Sequence, residues 1–230
     1  IYKLYSNQAD EVYNREDIMK NDTFFDENVI SKFKEIIHNK STKKKLIIIH
    51  LYGSHYNYNN KYPLEFKKFR PTLSEKSQIE YTKRDQLINS YDNSILYTDF
   101  VLSKLINDLK GINKHSFLFY LSDHGENLYD DKDKYVFHSY PIPKKYELEI
   151  PFFIWTSQKY NLSNYKKIKA LKSNSSKKIS TTYLFETIID MANIKYPLQD
   201  FSKSLSSEKF NSSNKRYILT VENKLIQYDK

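Results

Sequence analysis

Two continuous apolar runs enclose a long helical pattern, and this arrangement most constrains how the 230-residue chain can fold. The runs span residues 45–51 and 116–121, and such runs are typical of strands buried on both faces of a parallel sheet. Between them, apolar residues recur on one helical stripe over residues 82–110. A strand–helix–strand unit forms a right-handed crossover, so the two predicted strands should run parallel and end at the same edge of the sheet.

Further elements extend this pattern into a layered α/β fold. Asp26 is suited to cap a helix predicted over residues 27–39. We interpret residues 160–178, rich in Lys, Ser and Asn, as a solvated excursion. Additional elements are predicted as a strand at 150–155, a helix at 180–192 and a last strand at 217–221, with long loops at 52–80 and 122–147.

Composition excludes several classes of site. With no Cys, the chain has no disulfide, zinc–thiolate site or cysteine nucleophile, so any metal must be held by His and carboxylates. With only 3 Gly, a glycine-rich phosphate loop is excluded. The apolar runs are far shorter than the roughly 20 residues that cross a bilayer. Since the sequence begins at Ile1, we expect it to be a piece of a longer protein.

The charge balance allows two interpretations. The formal net charge of +9 is compatible with a nucleic-acid or anionic-surface partner. Lys is also abundant along the whole chain, which indicates a general compositional bias. The densest run, Lys40 with Lys43–Lys45, lies in a predicted connector.

The candidate site follows from the predicted sheet, because ligands of such sheets bind beyond the carboxyl ends of the strands. The loop after residue 51 contains His55, and the loop after residue 121 contains Asp123, His124 and, further on, His138. A carboxylate and a neutral imidazole suit Zn²⁺ or a related divalent ion. A turn aspartate and surface histidines are the alternative. The other histidines, His38, His50 and His115, are interpreted as structural or surface residues.

Four ordered motifs resemble those of the phosphoethanolamine transferases that modify lipid A and the lipopolysaccharide core. The Ser-Asp-His-Gly sequence that ends at Gly125 would alone indicate only the wider alkaline-phosphatase and sulfatase superfamily, but four motifs in order are more specific. They comprise residues 48–55 with 61–69, 91–99, 119–130 and 149–157, and weaker matches lie at residues 6–8 and 200–205.

The resemblance implies a fold and a site. The fold would be a three-layer α/β/α sandwich with a mostly parallel, alkaline-phosphatase-like sheet, its N-terminal portion missing. Residues 1–230 would be the C-terminal part of a sulfatase-like catalytic domain. Asp123 and His124 resemble two zinc ligands of that family. His55 and His138 resemble histidines that contact the phosphoryl group or a second metal, so one or two Zn²⁺ ions, or other divalent metals, are implied.

The resemblance also implies an activity. In this family a threonine attacks phosphatidylethanolamine, diacylglycerol leaves, and the phosphoethanolamine passes from the enzyme to lipopolysaccharide. The reaction takes place at the periplasmic face of the bacterial inner membrane. The nucleophile, a Glu ligand and the membrane anchor would lie before residue 1, since Thr23 and Thr42 do not suit a nucleophile. We therefore expect the isolated chain to bind zinc weakly and to be inactive.

Two other functions remain as alternatives. One is a hydrolase of sulfate or phosphate esters in the same superfamily. The other is a non-catalytic basic module that binds anionic lipid or nucleic acid, with aromatic rings that stack on bases. The resemblance favours the transferase without a nucleic-acid partner, and core packing accounts for most of the aromatic residues.

Overall fold

The computed structural model describes residues 7–19, 24–40, 44–74, 76–213 and 215–229. The chain divides into two compact units, one of residues 1–113 with 128–135 and one of residues 114–127 with 136–230. Ser6, Thr23, Thr42 and Lys43, which the sequence analysis names, lie outside the described residues.

The first unit is built on three helices, α1 (Arg15–Ile18), α2 (Val29–His38) and α3 (Arg84–Gly111). The helices predicted over 27–39 and 82–110 are thus confirmed. α2 and α3 are in contact, and each buries apolar side chains, including Phe33 and Val101. The predicted loop at 52–80 contains two short 3-10 turns, Tyr58–Asn60 and Leu64–Phe66.

Asp26 has a different role from the predicted helix cap. It lies in a 3-10 turn, and the cap of α2 is Asn28, whose side chain makes no capping hydrogen bond. The Asp26 carboxylate is 3% exposed and accepts hydrogen bonds from the backbone N–H groups of Tyr52 at 2.9 Å and Gly53 at 2.8 Å. Burial raises the pKa of the Asp26 carboxyl, and the two hydrogen bonds oppose that rise. The prediction of a cap was wrong because two converging backbone donors satisfy a buried carboxylate more completely.

The strand predicted over residues 45–51 is not formed. This segment has no strand conformation, and the side chains of Leu46 and Ile48 are 77% and 65% exposed. A strand requires a backbone hydrogen-bonding partner, and no described segment supplies one here. The parallel strand–helix–strand unit is therefore not observed in the described part of the chain.

The second unit contains an antiparallel strand pair, β1 (Phe117–Leu121) with β4 (Phe152–Thr156). The register places Phe117 opposite Thr156 and Leu121 opposite Phe152. Both strands confirm predictions from the sequence. The strands of every described sheet are short. Between β1 and β4, the predicted loop at 122–147 contains β2 (Asn127–Leu128), β3 (Val136–Phe137) and α4 (Lys145–Leu148).

Most of residues 160–178 are helical rather than a solvated excursion. They form most of α5 (Gln158–Ser163) and all of α6 (Tyr165–Asn174). The Ser157 side chain caps α5 by accepting a hydrogen bond from the Tyr160 backbone N–H. α6 buries Ala170 and Asn174. The helix was not predicted because its few buried apolar residues give only a weak helical pattern among the more numerous exposed lysines.

The chain ends in a helix and a hairpin. α7 (Leu184–Met191) confirms the helix predicted at 180–192. β5 (Tyr217–Leu219) confirms the first part of the predicted last strand and pairs antiparallel with β6 (Leu225–Gln227). Tyr183, Leu205 and Phe210 form a small core cluster in this unit. Within the described residues, no helix combines the length and apolar character needed to cross a membrane.

Candidate metal centre

A cluster of metal-ligating side chains lies just beyond the end of β1. One ligand atom from each of His124, Glu126 and His138 lies within 4.8 Å of the others. The two imidazole rings are tilted by 33°, with centroids 3.8 Å apart. The structure thus brings together two of the predicted site histidines, His124 and His138, which are 14 residues apart in the sequence.

Hydrogen bonds define which ring nitrogens carry protons. His124 Nδ1 lies 2.9 Å from the Gly125 carbonyl oxygen, and His138 Nδ1 lies 2.7 Å from Glu126 Oε1. A carbonyl and an ionised carboxylate only accept hydrogen bonds, so each Nδ1 donates. With a proton on Nδ1, Nε2 is the nitrogen of each ring that can bind a metal.

Asp123 lies beside this cluster without belonging to the group of three. Its side chain is 81% exposed, and Oδ1 accepts a hydrogen bond from the His124 backbone N–H at 3.0 Å. The same oxygen lies 3.9 Å from His124 Nε2. Asp123 and His124 thus present a carboxylate oxygen and an imidazole nitrogen on the same side of the strand exit.

Gly125 is required by a close backbone approach. A Cβ at this position would lie 2.0 Å from the Tyr146 carbonyl oxygen, which no side chain tolerates. The Gly125 N–H donates to the Glu147 carbonyl oxygen at 2.9 Å. The turn that carries His124 and Glu126 is therefore held directly against α4.

His138 sits between two residues with left-handed backbone conformations, Phe137 at φ 63° and Ser139 at φ 73°. Such conformations cost about 1–3 kcal/mol each outside glycine, so neighbouring contacts must hold them. The Asn127 side chain donates to the Phe137 carbonyl at 2.6 Å. The buried Glu147 carboxylate accepts from the Ser139 N–H at 2.9 Å.

Sequence reasoning missed two carboxylates in this region. Glu126 lies in the motif that contains His124, but nothing in the sequence shows that its side chain is 5% exposed and bonded to His138. No feature of the sequence singles out Glu147. Its carboxylate also accepts hydrogen bonds from the backbone N–H of Lys144 and the side-chain amide of Asn127.

His55, the remaining predicted site residue, lies in the first unit. Its side chain is exposed, and Nδ1 lies 2.5 Å from the Tyr56 carbonyl oxygen. The turn before it has Gly53 at φ 54°, and the Ser54 hydroxyl accepts a hydrogen bond from Ser94 at 2.8 Å. His38, His50 and His115 are exposed and lie outside the metal-ligating group, as the sequence analysis expects.

The motif at residues 91–99 has a structural role in positioning the loop after His55. Asn93 of α3 is fully buried, and its side-chain oxygen accepts hydrogen bonds from the backbone N–H groups of Lys68 at 2.8 Å and Phe69 at 2.9 Å. Its amide donates to the Phe69 carbonyl at 3.0 Å. One side chain thereby fixes the conformation of two consecutive loop residues.

The cluster provides the ligand types that zinc prefers. Catalytic zinc sites commonly have three protein ligands drawn from His and carboxylate, with a further position left for water or substrate. His124, His138 and the nearby carboxylates supply this set without thiols. The residues present therefore fit a zinc ion.

Comparison with known proteins defines the class. A family model described as Sulfatase matches residues 1–194, so the chain belongs to the sulfatase family. It is homologous to phosphoethanolamine transferases within that family. It is 32% identical, over 98% of its length, to the phosphoethanolamine transferase EptC of Escherichia coli (strain K12), and it covers 39% of that protein. It is 36% identical, over 59% of its length, to the phosphoethanolamine transferase EptA of Helicobacter pylori, covering 26% of it.

Solved structures support the same class. The C-terminal periplasmic domain of the Escherichia coli EptC in complex with Zn superposes with a TM-score of 0.83 at 31% identity, covering all of this chain and 64% of that one. The soluble domain of the lipooligosaccharide phosphoethanolamine transferase A from Neisseria meningitidis gives a TM-score of 0.70 at 28% identity, over 84% of this chain and 58% of that one. The predicted alkaline-phosphatase-like α/β class is therefore confirmed, with the chain corresponding to a C-terminal portion.

Proposed function

We propose that residues 1–230 are the C-terminal part of the catalytic domain of a phosphoethanolamine transferase. The protein would move phosphoethanolamine from phosphatidylethanolamine to lipid A or a core sugar of lipopolysaccharide. The observation that carries the proposal is the group of His124, Glu126 and His138 beyond β1. The homology to EptC and EptA supports the reaction class, although the chain spans only 39% of EptC.

Zinc is the proposed cofactor, as one or two ions, and the solved EptC domain with Zn supports this choice. His124 and His138 would hold it through Nε2, together with the carboxylate of Asp123, whose Oδ1 lies 3.9 Å from His124 Nε2. Bound zinc would lower the pKa of a nucleophile and neutralise charge on phosphoryl oxygens.

The histidines have proposed roles in moving protons and binding phosphate. The reaction breaks the bond between phosphorus and the diacylglycerol oxygen and forms a bond to a threonine oxygen, which we expect outside this chain. The departing oxygen needs a proton, and a site histidine that does not hold the zinc is the proposed donor. His55 is proposed to contact the phosphoryl group. The acceptor oxygen then displaces the threonine and completes the transfer.

The proposed location is the periplasmic face of the bacterial inner membrane, in a protein anchored there by a segment outside this chain. Two relatives support this location. One solved domain is described as the C-terminal periplasmic domain of EptC, and another relative as an integral membrane protein. Phosphatidylethanolamine and lipopolysaccharide, both membrane components, are the proposed partners.

The test is headgroup transfer by the gene product that contains this chain, reconstituted with phosphatidylethanolamine and lipopolysaccharide. Mass spectrometry should detect phosphoethanolamine on the lipopolysaccharide. His124→Ala and His138→Ala should each reduce the transfer rate by about 100-fold or more, the scale of general acid–base catalysis. His115→Ala, in the same unit but outside the cluster, should retain activity.

Two results would contradict the proposal. Release of free phosphoethanolamine without modified lipopolysaccharide would identify a hydrolase. Full transfer by the His124→Ala and His138→Ala variants would show that the cluster is not the site.

A further inference from the structure

The segment that forms α5 and α6 has an unusual charge distribution. Residues 158–178 contain no Asp or Glu. They contain seven lysines: Lys159, Lys166, Lys167, Lys169, Lys172, Lys177 and Lys178. A helical segment of one charge sign either is neutralised by neighbouring elements or presents a concentrated field to a partner.

Neighbouring elements contact three of these ammonium groups, two through ion pairs and one through an aromatic ring. Lys167 Nζ pairs with Asp190 Oδ1 at 2.8 Å, and Lys178 Nζ lies 3.5 Å from Asp229 Oδ1. Lys177 Nζ lies 5.6 Å from the centre of the Phe210 ring. For the other four lysines, the described residues supply no ion pair, hydrogen bond or aromatic contact to the ammonium group. These four, all exposed, are Lys159, Lys166, Lys169 and Lys172.

Two apolar side chains are exposed in the same segment. Leu162 is 76% exposed and Tyr165 is 70% exposed. Tyr165 precedes Lys169 by four positions and Lys172 by seven, so these three share one face of α6. We call the exposed residues Lys159 and Leu162 of α5 and Tyr165, Lys169 and Lys172 of α6 the basic surface.

The opposite face of α6 fixes the basic surface in place. Ala170 is 3% exposed, and Leu171 packs against the cluster of Tyr183, Leu205 and Phe210. The buried Asn174 side chain donates to the carbonyl oxygens of Leu205 at 2.9 Å and Ser207 at 3.2 Å. The exposed lysines therefore project from a folded helix.

We propose that the basic surface docks on a bilayer that contains anionic phospholipid. Lysine ammonium groups attract lipid phosphates, while Leu162 and Tyr165 are the residue types that enter the boundary between headgroups and acyl chains. An exposed leucine gains nothing from a nucleic-acid backbone, and single-strand binding uses successive aromatic rings, whereas this surface offers one. The proposal is independent of the transferase reaction.

The expected size of the effect follows from the charge. Each Lys near an anionic membrane surface raises partitioning by roughly five-fold. Removing two such charges should lower the partition coefficient by roughly twenty-five-fold, since separate sites act almost additively. Binding should weaken as salt rises.

The experiment is co-flotation of the 230-residue chain with vesicles of about 30 mol% phosphatidylglycerol in phosphatidylcholine. The chain should float with these vesicles and remain unbound with pure phosphatidylcholine. Lys169→Gln/Lys172→Gln should show the twenty-five-fold loss. Lys76→Gln/Lys110→Gln removes the same charge from exposed positions in the first unit and should bind nearly as the parent does. Leu162→Ser should weaken binding while leaving its salt dependence unchanged.

Each remaining outcome would overturn the proposal. Equal losses in the two double variants would show that net charge alone attracts the vesicles. Equal binding to pure phosphatidylcholine vesicles and to phosphatidylglycerol-containing vesicles would show that lipid charge does not attract the chain. Tighter binding to a single-stranded oligonucleotide than to the anionic vesicles would identify a nucleic-acid surface instead. Circular dichroism of each variant confirms that the fold is retained.

Discussion

Glu126 Oε1 accepts a hydrogen bond from His138 Nδ1 at 2.7 Å, and the glutamate side chain is 5% exposed. A buried carboxylate bound to one nitrogen of an imidazole fixes the orientation of the ring and the position of its proton. The opposite nitrogen, Nε2, is then left with its lone pair. Glu126 therefore prepares His138 for a metal ion or for proton transfer.

Replacing this carboxylate should weaken zinc binding. Glu126→Gln preserves the shape of the side chain but removes the charge that supports the His138 ring. We expect zinc affinity to fall by about 10-fold or more, the usual effect of removing such a partner. Competition with a chromophoric chelator measures this affinity. Glu208→Gln, at an exposed position in the same unit, is the control, and an equal loss there would contradict the assignment.

Gly125→Ala should destabilise the second unit. The new methyl group would overlap the Tyr146 carbonyl oxygen, at 2.0 Å, so the turn or α4 must move. We expect unfolding free energy to fall by about 2–4 kcal/mol in a denaturant titration. Gly111→Ala meets nothing within 4 Å at the end of α3 and should be neutral or stabilising by about 0.5 kcal/mol. Equal stability of the two variants would show that the close approach is absent.

Asn93→Ala should loosen the loop that follows His55. The substitution leaves the N–H groups of Lys68 and Phe69 and the Phe69 carbonyl without their buried partner. We expect a loss of about 2–4 kcal/mol of unfolding free energy. Hydrogen exchange should accelerate most at Phe69, because the Lys68 N–H also donates to the Phe66 carbonyl oxygen at 2.8 Å. Asn107→Ala, exposed on the same helix, should change neither quantity.

Helical periodicity predicted much of the fold, because an apolar stripe reports directly on burial. It located α2, α3 and α7, and apolar runs located β1 and β4. The run at residues 45–51 failed as a predictor, since apolar composition does not reveal whether a strand has a pairing partner. The many lysines on the exposed face of α6 led to the wrong prediction of a solvated excursion in place of this helix.

Part of the candidate cluster involves residues that the sequence singles out. The sequence predicts His124 and His138 as site residues, and the structure places them in one cluster. Glu126 and Glu147 were missed, because a sequence does not show that a carboxylate is buried or which backbone groups it meets. The same reason explains Asp26, whose partners Tyr52 and Gly53 are 26 and 27 residues away.

Asp190 should contribute a pH-dependent part of stability. Burial tends to raise the pKa of its carboxyl, but hydrogen bonds from Lys167, Ser206 and Ser204 outweigh burial and lower it. The ionised form is therefore favoured in the folded state. The stabilisation that the ionised Asp190 gives the folded state is fully present above pH 3.8, the ordinary pKa of this carboxyl. It is lost as the pH falls through the lowered pKa of the folded state.

Asp190→Asn tests this contribution. The variant should lose about 3 kcal/mol of unfolding free energy at neutral pH, because the partly buried Lys167 ammonium group loses its charged partner. The difference from the parent chain should narrow as the pH falls below 3.8, as denaturant titrations at several pH values would show. Asp99→Asn, exposed on α3, should match the parent throughout. A difference that grows in acid would contradict the sign of the pKa change.

X-ray absorption at the zinc edge tests the central claim most directly, because it identifies the ligands of zinc bound to the chain. The account predicts two imidazole nitrogens at about 2.0–2.1 Å, completed by oxygen ligands. His124→Ala and His138→Ala should each remove one imidazole contribution, while His115→Ala should leave the spectrum unchanged. A spectrum with oxygen ligands alone, or one that neither His124→Ala nor His138→Ala alters, would contradict the assignment of this cluster as the metal centre.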